Sequence, residues 1–197
     1  RQAKGGVHQG VVADVDAASQ YDVEDLVHSA RAEPLILVLD GIEDPHNLGA
    51  ILRSADATGV DGVIEQARRS AARSGVAAKA SAGAMAHVKI AEVVNIARAL
   101  DELKGLGVWT VGLAGEASMS YDAVDFSSPT AIVLGAEGPG LRRLVREKCD
   151  VMASIPMQGH VGSINVSVAA GVVLFEAVRQ RRRKSVGTRP SRTASND

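Results

Sequence analysis

The sequence predicts an α/β domain built on a parallel sheet flanked by helices. Short apolar runs alternate with stretches of helical period, the pattern of repeated strand–helix units. Apolar residues make up 46% of the chain and charged residues an ordinary 23%, enough for one 197-residue domain with a real core. Aromatics are 3%, so that core is built from Val, Ile, Leu and Ala.

Leu35–Leu39 is a short apolar run and reads as a buried strand. Asp44-Pro45 follows, then helical period from Asn47 to Thr58, with Pro near the start and Gly59 just past the end. Val60–Ile64 is the next expected strand, and residues 65–86, rich in Ala, Ser and Arg, read as loop and short helix. A helix is expected over Val93–Lys104, stopped by Gly105 and Gly107, then a strand over Val108–Leu113. A strand at Thr130–Leu134 runs into Gly135-Ala136-Glu137-Gly138-Pro139-Gly140. Leu141–Lys148 is expected helical, with Leu141, Leu144, Val145 and Lys148 on one face and Arg142, Arg143 and Arg146 on the outer part. A short strand at Met152–Ile155 precedes a final helix over Asn165–Arg179, apolar around most of its circumference and so expected to be deeply buried. Near the start, His8–Val15 suggests an edge strand and Val23–Ala30 a helix.

Charge and cysteine content narrow the function classes. The net charge is −1, but residues 179–197 carry +6 and the remainder −7. A basic end of this kind is either a solvated, disordered tail or a segment that holds nucleic acid by counterion release. Scarce aromatics argue against a module that binds single strands by base stacking. One cysteine, Cys149, excludes an internal disulfide and a Cys-based zinc cluster, and fits a reducing cytoplasm. No apolar run reaches membrane-spanning length and no His/Asp/Glu spacing reads as a metal site. The chain starts at Arg1 rather than Met, which fits a longer parent protein.

In open parallel sheets, ligands bind outside the carboxyl ends of the strands. Three loops combining glycine with polar side chains are expected there: Asp40 to Gly49 running into Arg53, Gly135 to Gly140, and Ile155 to Asn165. Glycines let backbone groups approach a ligand closely. Neither GxGxxG nor GxxxxGK[ST] is present, so a dinucleotide fold and a P-loop are disfavoured, as is a nucleotide-binding oxidoreductase. Each candidate side chain has two readings. Asn47 caps the first long helix or orients a functional group. Arg53 is a surface arginine or a phosphate clamp. Glu137 is an acid at a helix N-terminus or a partner of Arg53. Asn165 is a plain N-cap or part of a site.

Taken together, the three loops resemble the three motifs of the SpoU (TrmH-type) RNA 2′-O-methyltransferases. The matching residues are Asp44-Pro45-His46-Asn47-Leu48-Gly49 with Arg53-Ser54-Ala55, then Val133 to Gly138 with Gly140, then Ile155-Pro156-Met157 with Ser163 to Ala169. Gly6-Val7-His8-Gln9-Gly10 is similar to the linker of the bacterial branch that methylates a guanosine ribose in 23S rRNA. Ile164 and Gly162 depart from the commoner Leu and Ser, and Glu65-Gln66-Ala67 replaces a Val-Pro-Lys-like turn.

The resemblance implies an α/β knot of the SPOUT type, a deep C-terminal trefoil. It divides the chain into a linker remnant over 1–33 after a missing RNA-binding domain, a catalytic domain over 34–180 and a basic disordered tail over 181–197. It implies S-adenosyl-L-methionine as cofactor, RNA as substrate and a homodimer whose sites draw on both subunits. Leu134, Gly135, Glu137, Gly138, Ile155, Met157, Ile164 and Asn165 are its cofactor-binding candidates. Arg53, Asn47, Glu137 and Asn165 are its catalytic candidates, with Glu137 orienting Arg53. Arg53, Arg142 and Arg143 are its RNA-binding candidates. Alternatives of neighbouring function are a tRNA or resistance-type rRNA 2′-O-methyltransferase and a non-catalytic RNA-binding assembly factor.

Overall fold

The computed structural model describes residues 21–67 and 87–187. The expected edge strand at His8–Val15, nearly all of the loop region 65–86, and the last ten residues lie outside them. The described elements are α1 (Val23–His28), β1 (Leu35–Asp40), α2 (Pro45–Thr58), β2 (Gly62–Gln66), β3 (Ile90–Val93), α3 (Ile96–Gly105), β4 (Trp109–Leu113), β5 (Met119–Ser120), a 3-10 turn at Tyr121–Ala123, β6 (Thr130–Gly135), α4 (Arg143–Lys148), β7 (Val151–Ser154) and α5 (Val166–Gly187).

Seven strands form one sheet in the order β3-β2-β1-β6-β4-β7-β5, and every pairing is parallel. Leu35 pairs with Thr130 and Asp40 with Gly135, so the ends of β1 and β6 are level and their following loops are neighbours. All six residues of β1 are buried, which is why the strand reads as an unbroken apolar run: helices cover both of its faces. Leu35, Leu37 and Leu39 pack with α2 and α5, against Ile51, Leu52, Ala55, Val173 and Leu174. Ile36 and Val38 point the other way, into a core shared with α1, α3 and α4 through Leu26, Leu100, Leu103 and Val145.

Local signals place the helix ends. Asp44 is the cap of α2, accepting from the His46 and Asn47 amides at 3.1 and 3.3 Å, and Pro45 opens the helix. Gly59 closes it in the left-handed region at φ 70°. Asn47 therefore lies inside the helix, and its side chain is free for another partner. Asn95 caps α3 by accepting from Arg98 N at 3.2 Å. The expected helix over Val93–Lys104 thus starts three residues later, and Ile90–Val93 is instead an edge strand paired to β2.

Three further expectations are corrected. The final helix does not stop at Arg179 before a disordered tail at 181; it continues to Gly187. Arg181 explains the extension: its guanidinium donates to the carbonyls of Phe126, Glu33, Pro34 and Ser128. Nor is that helix deeply buried all round, since Val168 is 53% and Phe175 57% exposed. Leu144 does not share the buried face of Val145; α4 begins only at Arg143 and leaves Leu144 more than half exposed. Among the described residues, no helix is long and apolar enough to cross a membrane.

Candidate active site

The carboxyl ends of β6, β4 and β7 open into a cleft of about 520 Å³. Leu134 to Gly140 form one wall and residues 155–165 supply another through Ile155, Met157, Ser163, Ile164 and Asn165. All eight cofactor-binding candidates, Leu134, Gly135, Glu137, Gly138, Ile155, Met157, Ile164 and Asn165, line this space. A third wall, Leu113-Ala114-Gly115-Glu116 after β4, was not among the candidates. Its position after a strand was the available signal, but Ala114 and Gly115 carry no polar side chain to mark it.

Gly135 is fixed by close approach. A β-carbon there would stand 2.2 Å from the Gly140 carbonyl carbon and 2.3 Å from the Leu141 nitrogen, so no larger residue fits without moving backbone. The loop doubles back through two hydrogen bonds, Ala136 N to Gly140 O at 3.1 Å and Gly140 N to Ala136 O at 2.9 Å. Its far end is clamped by Asp40, which is fully buried at the end of β1. One Asp40 oxygen accepts from the Arg142 backbone N–H at 2.8 Å; the other accepts from Arg142 Nε at 2.6 Å and is ion-paired with the terminal NH2. Arg142, expected to contact RNA, has its guanidinium paired with Asp40 while about half of its side chain stays exposed. A buried carboxylate without that partner would be strongly unfavourable. Arg143 makes an exposed pair with Glu147 one turn on, a weak contact that leaves it accessible.

Asn47 links the first loop to the other two. Its Nδ2 donates to Glu137 Oε2 at 3.1 Å, and its Oδ1 accepts from Asn165 Nδ2 at 2.9 Å. Glu137, as a carboxylate, only accepts, so the amide nitrogen of Asn47 faces it and the oxygen faces Asn165. Asn165 Oδ1 in turn accepts from the Ser167 amide at 2.8 Å and the Ser167 hydroxyl at 2.6 Å. Both readings of Asn165 hold: it caps α5 and joins the polar chain. Asn47 is buried while Glu137 and Asn165 are exposed toward solvent, so the amide is a fixed strut between two accessible groups.

Arg53 is placed differently from the expectation. Glu137 binds Asn47 and makes no bond to Arg53. Arg53 is exposed on α2, lies outside the walls of the cleft, and its side chain makes no hydrogen bond or ion pair among the described residues. Its neighbour Ser54 faces Gly171 of α5, where an added β-carbon would meet Ser54 Oγ at 3.8 Å. α2 and α5 are therefore in contact one residue along from Arg53.

Charged groups on the cleft wall are two carboxylates, Glu116 and Glu137, and one guanidinium, Arg146. Arg146 is ion-paired with Glu116 across the rim. Glu116 lies below the usual carboxylate range, held there by its own backbone N–H and by Arg146. Cys149 is no nucleophile: burial pushes its thiol up to about 12.

The match to known proteins agrees with this geometry. The model of the SpoU rRNA Methylase family matches residues 34–175. The 23S rRNA (guanosine-2′-O-)-methyltransferase RlmB of Yersinia pestis is 52% identical over 182 residues, 91% of this chain and 74% of that protein. Among solved structures, the SpoU methyltransferase AviRb from Streptomyces viridochromogenes in complex with AdoMet superposes with a TM-score of 0.73 at 30% identity, covering 79% of this chain and 63% of that one. The A. aeolicus TrmH/SpoU tRNA modifying enzyme gives 0.72 at 33% identity over 86% of this chain and 87% of its own. By family model, sequence and fold alike, the chain belongs to the SpoU rRNA methylase family.

Proposed function

We propose that this protein transfers a methyl group from S-adenosylmethionine to the 2′-hydroxyl of a guanosine ribose in 23S rRNA. The observation that carries the reading is the convergence of loops after β6, β4 and β7 on one cleft, braced from the first loop by the Glu137–Asn47–Asn165 chain. The cleft suits the cofactor. Its volume is within the usual range for small-ligand sites. Leu113, Leu134, Ile155, Met157 and Ile164 offer apolar walls to a planar base, and backbone groups of Gly135, Ile155 and Ile164 can read its edge. Two carboxylates against one guanidinium leave a net negative wall, complementary to a cation. When bound, the cofactor supplies an electrophilic methyl carbon on a sulfonium.

The protein's residues then have to place a ribose hydroxyl and manage its proton. Arg53 holds an RNA phosphate, whose oxygen takes the hydroxyl proton, and stabilises the developing alkoxide; a guanidinium stays protonated at neutral pH and is not the base. Asn47 orients the ribose end of the substrate and is itself held by Glu137. Asn165 orders the third loop at the start of α5. Arg143 adds a phosphate contact on the outer surface.

The active unit in this reading is a homodimer. Val168 and Phe175 are seven residues apart, two turns along one face of α5, and both are more than half exposed. Arg53, on the helix packed against α5, would reach the cleft of a second copy. The same reading makes the segment after β6 a deep trefoil knot. In support, β7 sits between β4 and β5, both laid down earlier in the chain, before the chain returns through 155–165 to the cleft. Residues 34–180 carry the catalytic unit, with α1 packed onto it through Leu26 and α5 continuing past it to Gly187, and the setting is the cytoplasm.

Incubation with isotope-labelled cofactor and 23S rRNA, followed by nuclease digestion and mass spectrometry, tests the activity. The expected product is a single labelled 2′-O-methylguanosine. Label on a base, or none in the RNA, overturns it.

A further inference from the structure

We infer that the Glu116–Arg146 pair on the rim of the cleft is the subsite for the amino-acid end of the cofactor, with Arg146 taking its carboxylate and Glu116 its ammonium; the inference rests on the reading of S-adenosylmethionine as cofactor. α4 and its cap residue carry four cations, each paired with a carboxylate. Arg142 pairs with the buried Asp40, Arg143 with Glu147 one turn on, and Lys148 with Asp101 of α3. Among the described residues, only the Arg146 pair has both members on the cleft wall. They come from different segments: Arg146 from the helix after the Gly135–Gly140 loop, Glu116 from the stretch after β4. That stretch lies against the loop that presents Ile164, since a β-carbon on Gly115 would meet the Gly162 carbonyl oxygen at 3.6 Å. Glu116 is thus one residue from the place where two walls of the cleft meet.

The fold gains little from this pair. Arg146 is 44% and Glu116 61% exposed, and a solvated ion pair adds little to stability. For the same reason it opens readily to a ligand that returns both charges. The methionine end of the cofactor is such a ligand, with a carboxylate and an ammonium on one carbon. Its carboxylate needs a cation, and Arg146 is the one cation among the described residues of the wall. A guanidinium fork matches a carboxylate through two parallel hydrogen bonds. Glu116 stays ionised when Arg146 turns to the ligand, because its own backbone N–H also holds its pKa down. A ribose diol would use the carboxylate alone and leave the guanidinium without a partner; two opposite charges fit a zwitterion. Once both new pairs have formed, their charges cancel. Glu137, tied to Asn47, is then the charge left to balance the sulfonium.

Calorimetry on the full chain with S-adenosylhomocysteine and methylthioadenosine tests it. Both are thioethers of adenosine, and only the first carries the zwitterion. Arg146→Met and Glu116→Gln should each weaken S-adenosylhomocysteine by about 10-fold, the scale of one charge-assisted hydrogen bond lost, and leave methylthioadenosine unchanged. Arg146→Lys keeps the charge and should recover part of the loss. Melting temperatures should stay near the parent, as expected for an exposed pair. Equal losses for both thioethers would assign the pair to the adenosine moiety or to the shape of the cleft, and overturn the subsite. Unchanged affinity for both in the variants, with the parent binding S-adenosylmethionine, overturns the subsite alone. No binding of S-adenosylmethionine by the parent removes the cofactor reading and the subsite with it.

Discussion

The two ends of the sheet are held together in different ways. At the carboxyl end, side chains bind side chains across long stretches of sequence: Asn47 to Glu137, Asn165 to Asn47, Arg142 to Asp40. At the amino end, side chains bind mainly backbone, with Lys104 and the Thr110 hydroxyl also on Asp150. Asp61 accepts from Leu35 N at 2.9 Å, Asp150 accepts from Thr110 N at 2.9 Å, and Arg181 donates to four carbonyls. Backbone partners are available whatever residue stands there, so the amino end is a general fastening. Side-chain partners need particular residues on both sides, so the carboxyl end holds one arrangement of three loops and little else. The contrast separates residues that shape the site from residues that keep the fold.

Substitutions can break that contrast. The largest effect is expected for Arg53→Ala, which has no internal bond to lose. Methyl transfer should fall by about 10²- to 10⁴-fold, the range for a group acting directly on the reacting hydroxyl, while calorimetric affinity for S-adenosylmethionine and the melting temperature stay near the parent. Full activity would take Arg53 out of the mechanism.

Arg142→Met tests whether a carboxyl-end contact can also be a fold contact. Asp40 would be left buried without its charge partner, a loss of roughly 3–5 kcal/mol, read by urea unfolding. A change under 1 kcal/mol, on the order of a surface pair, would mean that Asp40 does not depend on the clamp.

For Arg181→Met the expectation is a loss of about 2–3 kcal/mol, the worth of charge-assisted hydrogen bonds to carbonyls left unmet, with cofactor affinity unchanged. A selective loss of cofactor binding would erase the distinction between the two ends. Asn47→Ala should do the reverse: a stability loss of about 1–2 kcal/mol for unpaired polar groups, but a fall in turnover larger than that loss explains at saturating cofactor.

The smallest effect concerns Asp150. Burial raises its pKa, but bonds from Lys104 and Thr110 together outweigh that and leave it below the usual carboxylate range. Its folded value is lower than its unfolded one, so its contribution is complete above about pH 4 and lost as pH falls through the lowered value. Lys104→Met should lower stability modestly above about pH 4, where this contribution is present, and leave it unchanged at strongly acid pH, so that the acid limb of stability against pH becomes flatter.

What the sequence disclosed follows the same division. The strands of β1 and β6 were legible because burial on both faces writes an apolar run, and the three glycine loops because glycine and polar residues just after such runs are unusual. The cleft walls from 134–138 and 155–165 follow from that. The wall at Leu113–Glu116 did not stand out, because a wall made by backbone and small residues has no side-chain signature. The Asp40–Arg142 clamp spans 102 residues and has no local trace, so Arg142 looked like any exposed arginine. Of the two readings of Asn47, the capping one fails because Asp44, three residues earlier, is an equally good capping type and wins by geometry.

Arg181 has a consequence for the order of events in making the protein. Two of the carbonyls that it grips, at Glu33 and Pro34, lie nearly 150 residues upstream, ahead of the first strand. Synthesis runs from the amino end, at about 5–20 residues per second. The start of β1 therefore waits several seconds for its fastening, until the last helix has emerged. The newborn chain must keep its sheet soluble through that interval without the clasp that later secures it.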